Sequence, residues 1–386
     1  MVPRKGSFWV EYHQGVLTMK KILLGTSALV LLAGAAAAQQ VTTKAPFTVT
    51  LGGSIRSDFI IVNDDAANAE SREARLDYRL TLKAEAKAEN GLTYGFSARL
   101  RNNQNGSGQA NQDVVGADTK FIYMGGSWGK VELGDTLAVD TNLEVQAPSV
   151  GIGQADYAFG PSTGNYSYYH ANEGEFHTKV VYYTPVFSGF QAGISYTPEK
   201  GSAGRDNARS KFITGSGNNY NDLISLGAAY TGKFSDIGLK VGGGVQFGDA
   251  KDTSATVKST LGDYSVWHLG AQVSYAGFTF GGHYYDNGDT GLAKGTDQIG
   301  WQLGLTYVVG PWGVGINYAR TETDVKSGKD TTDYVVGIGG AYQLAPGLSL
   351  QADIVKFEAE SQTTGLKSGQ TKNDGTLFTF RTRVDF

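Results

Sequence analysis

Residues 74–101, ARLDYRLTLKAEAKAENGLTYGFSARLR, alternate between apolar and polar with almost no interruption. Leu76, Tyr78, Leu80, Leu82, Ala84, Ala86 and Ala88 fall on one face of an extended chain, and Arg75, Asp77, Arg79, Thr81, Lys83, Glu85 and Lys87 on the other, because successive side chains of a strand point to opposite faces. After ENG the rhythm resumes, with Leu92, Tyr94, Phe96, Ala98 and Leu100 against Thr93, Gly95, Ser97, Arg99 and Arg101. The pattern predicts long strands with one apolar and one strongly charged face.

The same period of two marks sixteen segments in all, at about 46–62, 72–88, 91–102, 117–125, 130–136, 176–185, 189–198, 221–231, 236–248, 262–275, 278–286, 298–308, 312–320, 331–343, 347–357 and 374–386. Short turns (ENG, SWG, PVFSG, GKFSD, AG, VGP, LAPG) follow every second segment, and long polar links separate the pairs. Such sorting suits an up-and-down transmembrane barrel, whose short turns are periplasmic and long loops extracellular. The 54 glycines are about twice the usual share and the 18% of charged residues lies below the roughly 25% of soluble domains. Sixteen strands enclose a space too wide for side chains to fill. The apolar set, for example Ile237, Leu239, Val241, Val245 and Phe247, or Trp301, Leu303, Leu305 and Tyr307, is therefore expected to face lipid, and the charged set to line water. The expected fold class is all-β, a 16-stranded antiparallel transmembrane β-barrel. Aromatics near strand ends (Phe47, Phe190, Phe278, Trp312 and Phe386; Tyr123, Tyr196, Tyr230, Tyr284 and Tyr318) are expected to form two interfacial girdles.

MKKILLGTSALVLLAGAAAAQQ, from Met19, has two lysines, an apolar run and small residues up to Ala38. That order predicts a signal peptide at 19–38, too short for a retained anchor, with residues 1–18 read as an over-called start and 39–386 as the barrel. The chain has no cysteine, so an exported product would be stabilised without disulfides. Removing residues 1–38 takes four basic groups from 33 and one acidic group from 37, leaving 29 and 36, net −7. That balance argues against a nucleic-acid partner, which would require a basic face.

The link 137–175 is the longest, 39 residues, and contains no Lys or Arg. It carries Asp140, Glu144, Asp156, Glu173 and Glu175. A link of this length is usually functional, and folded back into the barrel it would set the narrowest cross-section. Inward parity places Arg56, Arg75, Arg79, Arg99 and Arg101 on the first three strands, and Arg381 and Arg383 on the last, near the periplasmic rim. Closure makes these one basic wall. Acids facing it would create a transverse field that orders water and admits small polar solutes and ions. The competing reading is that Arg75 and Arg79 pair with Asp77, and Arg383 with Asp385, within the wall, and that the link acids bind a structural cation or sit at the mouth. No cofactor is expected; EGEFH at 173 is the stretch that could hold a structural divalent cation.

SREARLDYRLTLKAEAKAENGLTYGFSARLR at 71, FIYMGGSWGKVELGDT at 121 before the long link, and the terminal FTFRTRVDF resemble the general porins of alphaproteobacteria, the group that includes the Rhodobacter porins. The detailed similarity covers about the first 100 residues after the leader and the last strand. The resemblance implies a homotrimer in the outer membrane, in contact with lipid and lipopolysaccharide, with the third extracellular loop folded inward opposite arginines and passive diffusion of small hydrophilic solutes. It also implies a subunit contact near Ala84, Ala86 and Ala88, and a terminal Phe386 resembling the signal read by the barrel-insertion machinery.

An enzyme is not expected. Beyond the leader the histidines are His170, His177, His268 and His283, on separate loops and strands with no nucleophile motif beside them. A substrate-selective channel for sugars, phosphate or carboxylates is the main alternative, with the tyrosines of YAFGPSTGNYSYYH at 157 as a stacking surface. A structural or adhesive barrel would require a plugged lumen.

Overall fold

The computed structural model describes residues 47–102, 115–155, 176–200, 211–213, 219–326 and 328–386. Among them are sixteen strands: β1 Thr48–Asn63, β2 Arg72–Lys87, β3 Thr93–Asn102, β4 Val115–Gly126, β5 Gly129–Thr136, β6 His177–Tyr183, β7 Phe190–Glu199, β8 Tyr220–Phe234, β9 Ile237–Ala250, β10 Tyr264–Tyr275, β11 Phe278–Gly288, β12 Thr296–Val309, β13 Trp312–Val325, β14 Thr331–Ala345, β15 Leu348–Ala359 and β16 Asn373–Asp385. Each pairs antiparallel with its neighbours in sequence, and β16 pairs with β1, with Phe59 opposite Phe380. The sheet is a closed barrel, so no strand edge is left unpaired, as hydrocarbon demands. One helical turn, α1 (Val139–Asn142), lies in the link after β5.

The turns explain the register. Between Tyr275 and Phe278 only Ala276 and Gly277 intervene, both at positive φ (48° and 85°). Two successive positive φ values twist a two-residue turn to match the strands it joins, and this turn sets every pair along β10 and β11.

Exposure is inverted relative to a soluble domain. Leu303 is 45% exposed while its neighbour Gln302 is 6% exposed, and Leu269 is 54% exposed beside a buried His268. Leu76, Phe247, Phe280, Ile338 and Ile354 continue the outer apolar surface, and Asp77, Gln246, Asn317 and Asp353 the inner polar one. An apolar surface of this extent on a monomer is a membrane surface. The girdles are also present. Trp267 packs on Tyr284 (5.2 Å between centroids), Tyr284 lies opposite Trp301, and Trp301 packs on Tyr318 (5.0 Å). Nearer the short turns Phe278 packs on Tyr307 and Trp312 on Tyr342, each at 4.3 Å.

Two expectations need correction. Tyr123 does not belong to a girdle: Ile122 and Met124 take the outer positions, and Tyr123 points inward, donating to Glu85 Oε2 at 2.8 Å. Nor is the inner face polar throughout. Towards the long loops Ile60, Val62, Val335, Val355, Phe357 and Leu377 form a buried cluster, and Tyr220, Leu223, Tyr264, Val266 and Tyr285 a second. Ile152 and Ala155 of the long link complete the first cluster, so in that cluster the apolar lining lies where the link covers the wall and water is excluded.

Candidate functional site

The described part of the long link, Leu137–Ala155, lies along the inner wall. It leaves β5 through α1, where Val139 N–H donates to Ser195 Oγ of β7 (3.2 Å) and Asn142 Nδ2 to Tyr183 Oη of β6 (2.5 Å). Gln246 Nε2 of β9 donates to Asp140 Oδ2 (2.6 Å), Gln272 Nε2 of β10 to the Gln146 carbonyl (2.8 Å), and Asn317 Nδ2 of β13 to the Pro148 carbonyl (3.0 Å). Gln154 N–H ends the path on Asp353 Oδ2 of β15 (2.6 Å). Backbone polar groups that would otherwise be stranded are thus satisfied by wall side chains. The close approach depends on glycine: a Cβ at Gly242, Gly244, Gly270 or Gly304 would overlap Leu143, Asp140, Val145 or Pro148.

The opposite wall carries the arginines. Arg56 pairs with Asp77 at 2.5 Å, and Arg79 lies 4.0 Å from the same carboxylate. Arg75 is 3.5 Å from Glu73. Arg99 makes two hydrogen bonds to Asp118 (2.8 and 2.7 Å), and Arg101 reaches Asp118 at 3.3 Å. Arg79 and Arg101 are direct cross-strand partners, and like charges so placed repel; Asp77 and Asp118 flank them and offset that. The guanidinium side chains of Arg79, Arg101, Arg99 and Arg56 stay 40, 30, 26 and 23% exposed, whereas Asp77 and Asp118 are 4 and 14% exposed. The surface presented to the lumen is therefore basic.

Asp118 is the wall residue that sequence parity missed. Counting back from the outward Ile122 puts position 118 outside, but the register shifts between Arg99 (opposite Thr119) and Leu100 (opposite Ala117). The bulge leaves Asp118 unpaired and re-aims it. Arg381 is also displaced from its expected rim position. Because β1 begins below the end of β16, Arg381 lies opposite Asp58, one step farther from the short turns than the Arg56–Arg383 pair, and it is buried in a two-bond contact with Asp58.

Between link and wall lies a cavity of about 400 Å³, lined by Thr81, Arg99, Lys130 and Glu132 on the wall side, by Leu137, Asn142 and Leu143 of the link, and by Phe176. The Arg99 guanidinium stands over the Phe176 ring at 5.1 Å. A second cavity of about 430 Å³ shares Phe121, Lys130 and Glu132 with it and extends along Lys83, Glu85 and Tyr123. Together they trace a charged path along β2–β5.

Neither described link acid faces that path, contrary to the expectation that Asp140 and Glu144 oppose the arginines; the link lines the cavity with Leu137, Asn142 and Leu143. Asp140 Oδ2 is 3.5 Å from His268 Nε2, and Glu144 Oε1 is 2.8 Å from His283 Nε2, so both turn towards β10 and β11. Asp156, Glu173 and Glu175 lie outside the described residues, as do the EGE of EGEFH, His170 and the tyrosine-rich stretch at 157. Of the three described wall histidines, His177 begins β6, while His268 and His283, predicted on separate strands, are neighbours, with ring centroids 5.4 Å apart.

A family model described as Gram-negative porin matches residues 25–362. Among curated proteins, an uncharacterized protein of Rickettsia felis is 26% identical over 335 residues, 69% of this chain and 75% of that one. Another, from Rickettsia typhi, is 25% identical over 336 residues with the same coverage. Among solved structures, the anion-selective porin of Comamonas acidovorans superposes with a TM-score of 0.60 at 19% identity, over 88% of this chain and 100% of that one. The trimer form of OmpT, an outer membrane protein of Vibrio cholerae, gives 0.59 at 13% identity, over 88% and 99%. A mutant of the Rh. blastica porin gives 0.51 at 16% identity, over 88% and 100%.

Proposed function

From the Gram-negative porin family, to which this chain belongs, and the outer-membrane channel that membership brings, we propose a water-filled passage for small hydrophilic solutes and ions with a charged constriction. The constriction lies between the link, at Leu137, Asn142 and Leu143, on one side and Arg56, Arg75, Arg79, Arg99 and Arg101 on the other. The observation that carries this reading is the cavity between Leu137, Asn142 and Leu143 and the Arg99 wall. Guanidinium groups that stay partly hydrated beside buried carboxylates attract anions without holding them, and weak interaction is what flux requires. A modest preference for small anions follows.

Assembly as a homotrimer, in contact with lipid and lipopolysaccharide, belongs to the same proposal; it is supported by the trimer form of the Vibrio cholerae neighbour.

Single-channel recording in planar bilayers tests the reading. Conductance steps in groups of three, linear in salt and with a reversal potential displaced towards that of the anion, support it. Saturable block by one sugar, phosphate or carboxylate would instead support a substrate-selective channel, and a silent bilayer would reject both.

A further inference from the structure

The contacts of Glu144, His268 and His283 exceed what a loop-to-wall hydrogen bond requires. His268 and His283 come from adjacent strands and share the inner face. Gly270 is the direct partner of His283, and Tyr285 that of His268, so the two imidazoles are diagonal neighbours, within reach of each other. Gly270 and Gly244, which flank them, have no side chain and admit the link backbone at Val145 and Asp140. Glu144 is thereby delivered to both rings. Its Oε1 lies 2.8 Å from His283 Nε2 and 3.8 Å from His268 Nδ1, and one donor atom of each of the three residues falls within 4.8 Å of the others. All three side chains are at most 6% exposed.

We propose that Glu144, His268 and His283 form a binding site for a divalent transition-metal ion, with Zn²⁺ the best-fitting occupant, that pins the link to the wall at β10 and β11. With metal–ligand bonds of about 2.0–2.2 Å, donors of a tetrahedral zinc site lie about 3.3 Å apart; the two separations at Glu144 bracket that value. Two imidazole nitrogens and one carboxylate suit zinc, nickel, cobalt or copper, whereas calcium and magnesium take oxygen donors. His268 presents Nδ1 to the site, where that atom is buried with no hydrogen-bond partner, while its Nε2 faces Asp140 Oδ2 at 3.5 Å. Asp140 is then the outer partner that orients a ligating imidazole and raises its basicity. Gln246 holds Asp140 in turn. The site does not depend on the channel reading, because a barrel that conducted nothing could still bind the ion.

The test uses the full-length barrel, folded in detergent and freed of metal by a chelator, with Zn²⁺ alone as titrant in calorimetry. One Zn²⁺ per chain is expected. His268→Gln and His283→Gln should each weaken binding more than about 100-fold, beyond the about 10–100-fold expected for the outer partner in Asp140→Asn. X-ray absorption of the zinc-loaded natural protein is independent of whether the variants fold and should report two imidazole ligands. No saturable binding, or a zinc environment with fewer than two imidazoles, overturns the site. So does unchanged affinity in both folded histidine variants, which would leave the cluster as a network of imidazole–carboxylate contacts only.

Discussion

Arg381 of β16 donates from Nε and Nη2 to Asp58 of β1 at 2.6 and 2.8 Å, and the pair is buried at the seam where the last strand meets the first. Two matched hydrogen bonds of opposite charge fix the register of a pairing that the chain must make between its two ends. Removing one partner leaves the other charge uncompensated. Asp58→Ala is expected to cost about 3–5 kcal/mol of stability, read as an earlier midpoint in urea unfolding from detergent. Asp58→Leu combined with Arg381→Met should recover most of it; if the double variant is no more stable than Asp58→Ala, the pair is not what the seam depends on.

The basic surface makes a second prediction. Arg79→Ala with Arg99→Ala removes two partly exposed guanidinium groups and leaves Asp118 with Arg101 alone among its described arginine partners. Permeability should shift towards cations, seen as a displaced reversal potential under a salt gradient. An unchanged potential would remove these arginines from the constriction.

Gly270→Val tests the seat of the link. Its side chain would occupy the place of the Val145 carbonyl, so the link must lift towards the arginine wall. Single-channel conductance is expected to fall with the strand content of the circular dichroism spectrum unchanged, at a stability cost of about 1–3 kcal/mol. Equal conductance would mean that this stretch does not bound the passage.

Much of this was legible beforehand because strand periodicity and loop sorting are local signals. Alternation in Leu76–Lys87 separates the lipid face from the lumen face without any knowledge of partners, and the short turns fix which ends meet. What was not legible depends on a single irregularity or on a long-range choice. Asp118 is turned inward by one bulge that the run Val115–Gly126 does not advertise. Ile60 and Val62 share the inward parity of Asp58, and they are covered because the link crosses that part of the wall, which alternation cannot reveal. The His268–His283 pairing did have a signal. A two-residue turn at Ala276–Gly277 puts His268 opposite Tyr285 and hence diagonal to His283; only the arrival of Glu144 needed the structure.

The two faces also predict opposite tolerances to charge. Leu303→Arg, on the outer belt, should destabilise the barrel by about 2–4 kcal/mol in lipid. Thr81→Glu, directly opposite Arg99 and bordering the cavity beside it, should leave stability within about 0.5 kcal/mol and shift permeability towards cations instead.

With no cysteine in the sequence, single cysteines report on their own surroundings. Thr81→Cys and Leu82→Cys are adjacent on β2 and differ only in the face they occupy. In a planar bilayer a charged, membrane-impermeant thiol reagent should reduce the current through the Thr81→Cys channel within its reaction time and leave the Leu82→Cys channel untouched. Block of the Leu82→Cys channel with the Thr81→Cys channel unreactive would place water on the leucine face and lipid on the arginine face, contrary to everything derived from the alternation.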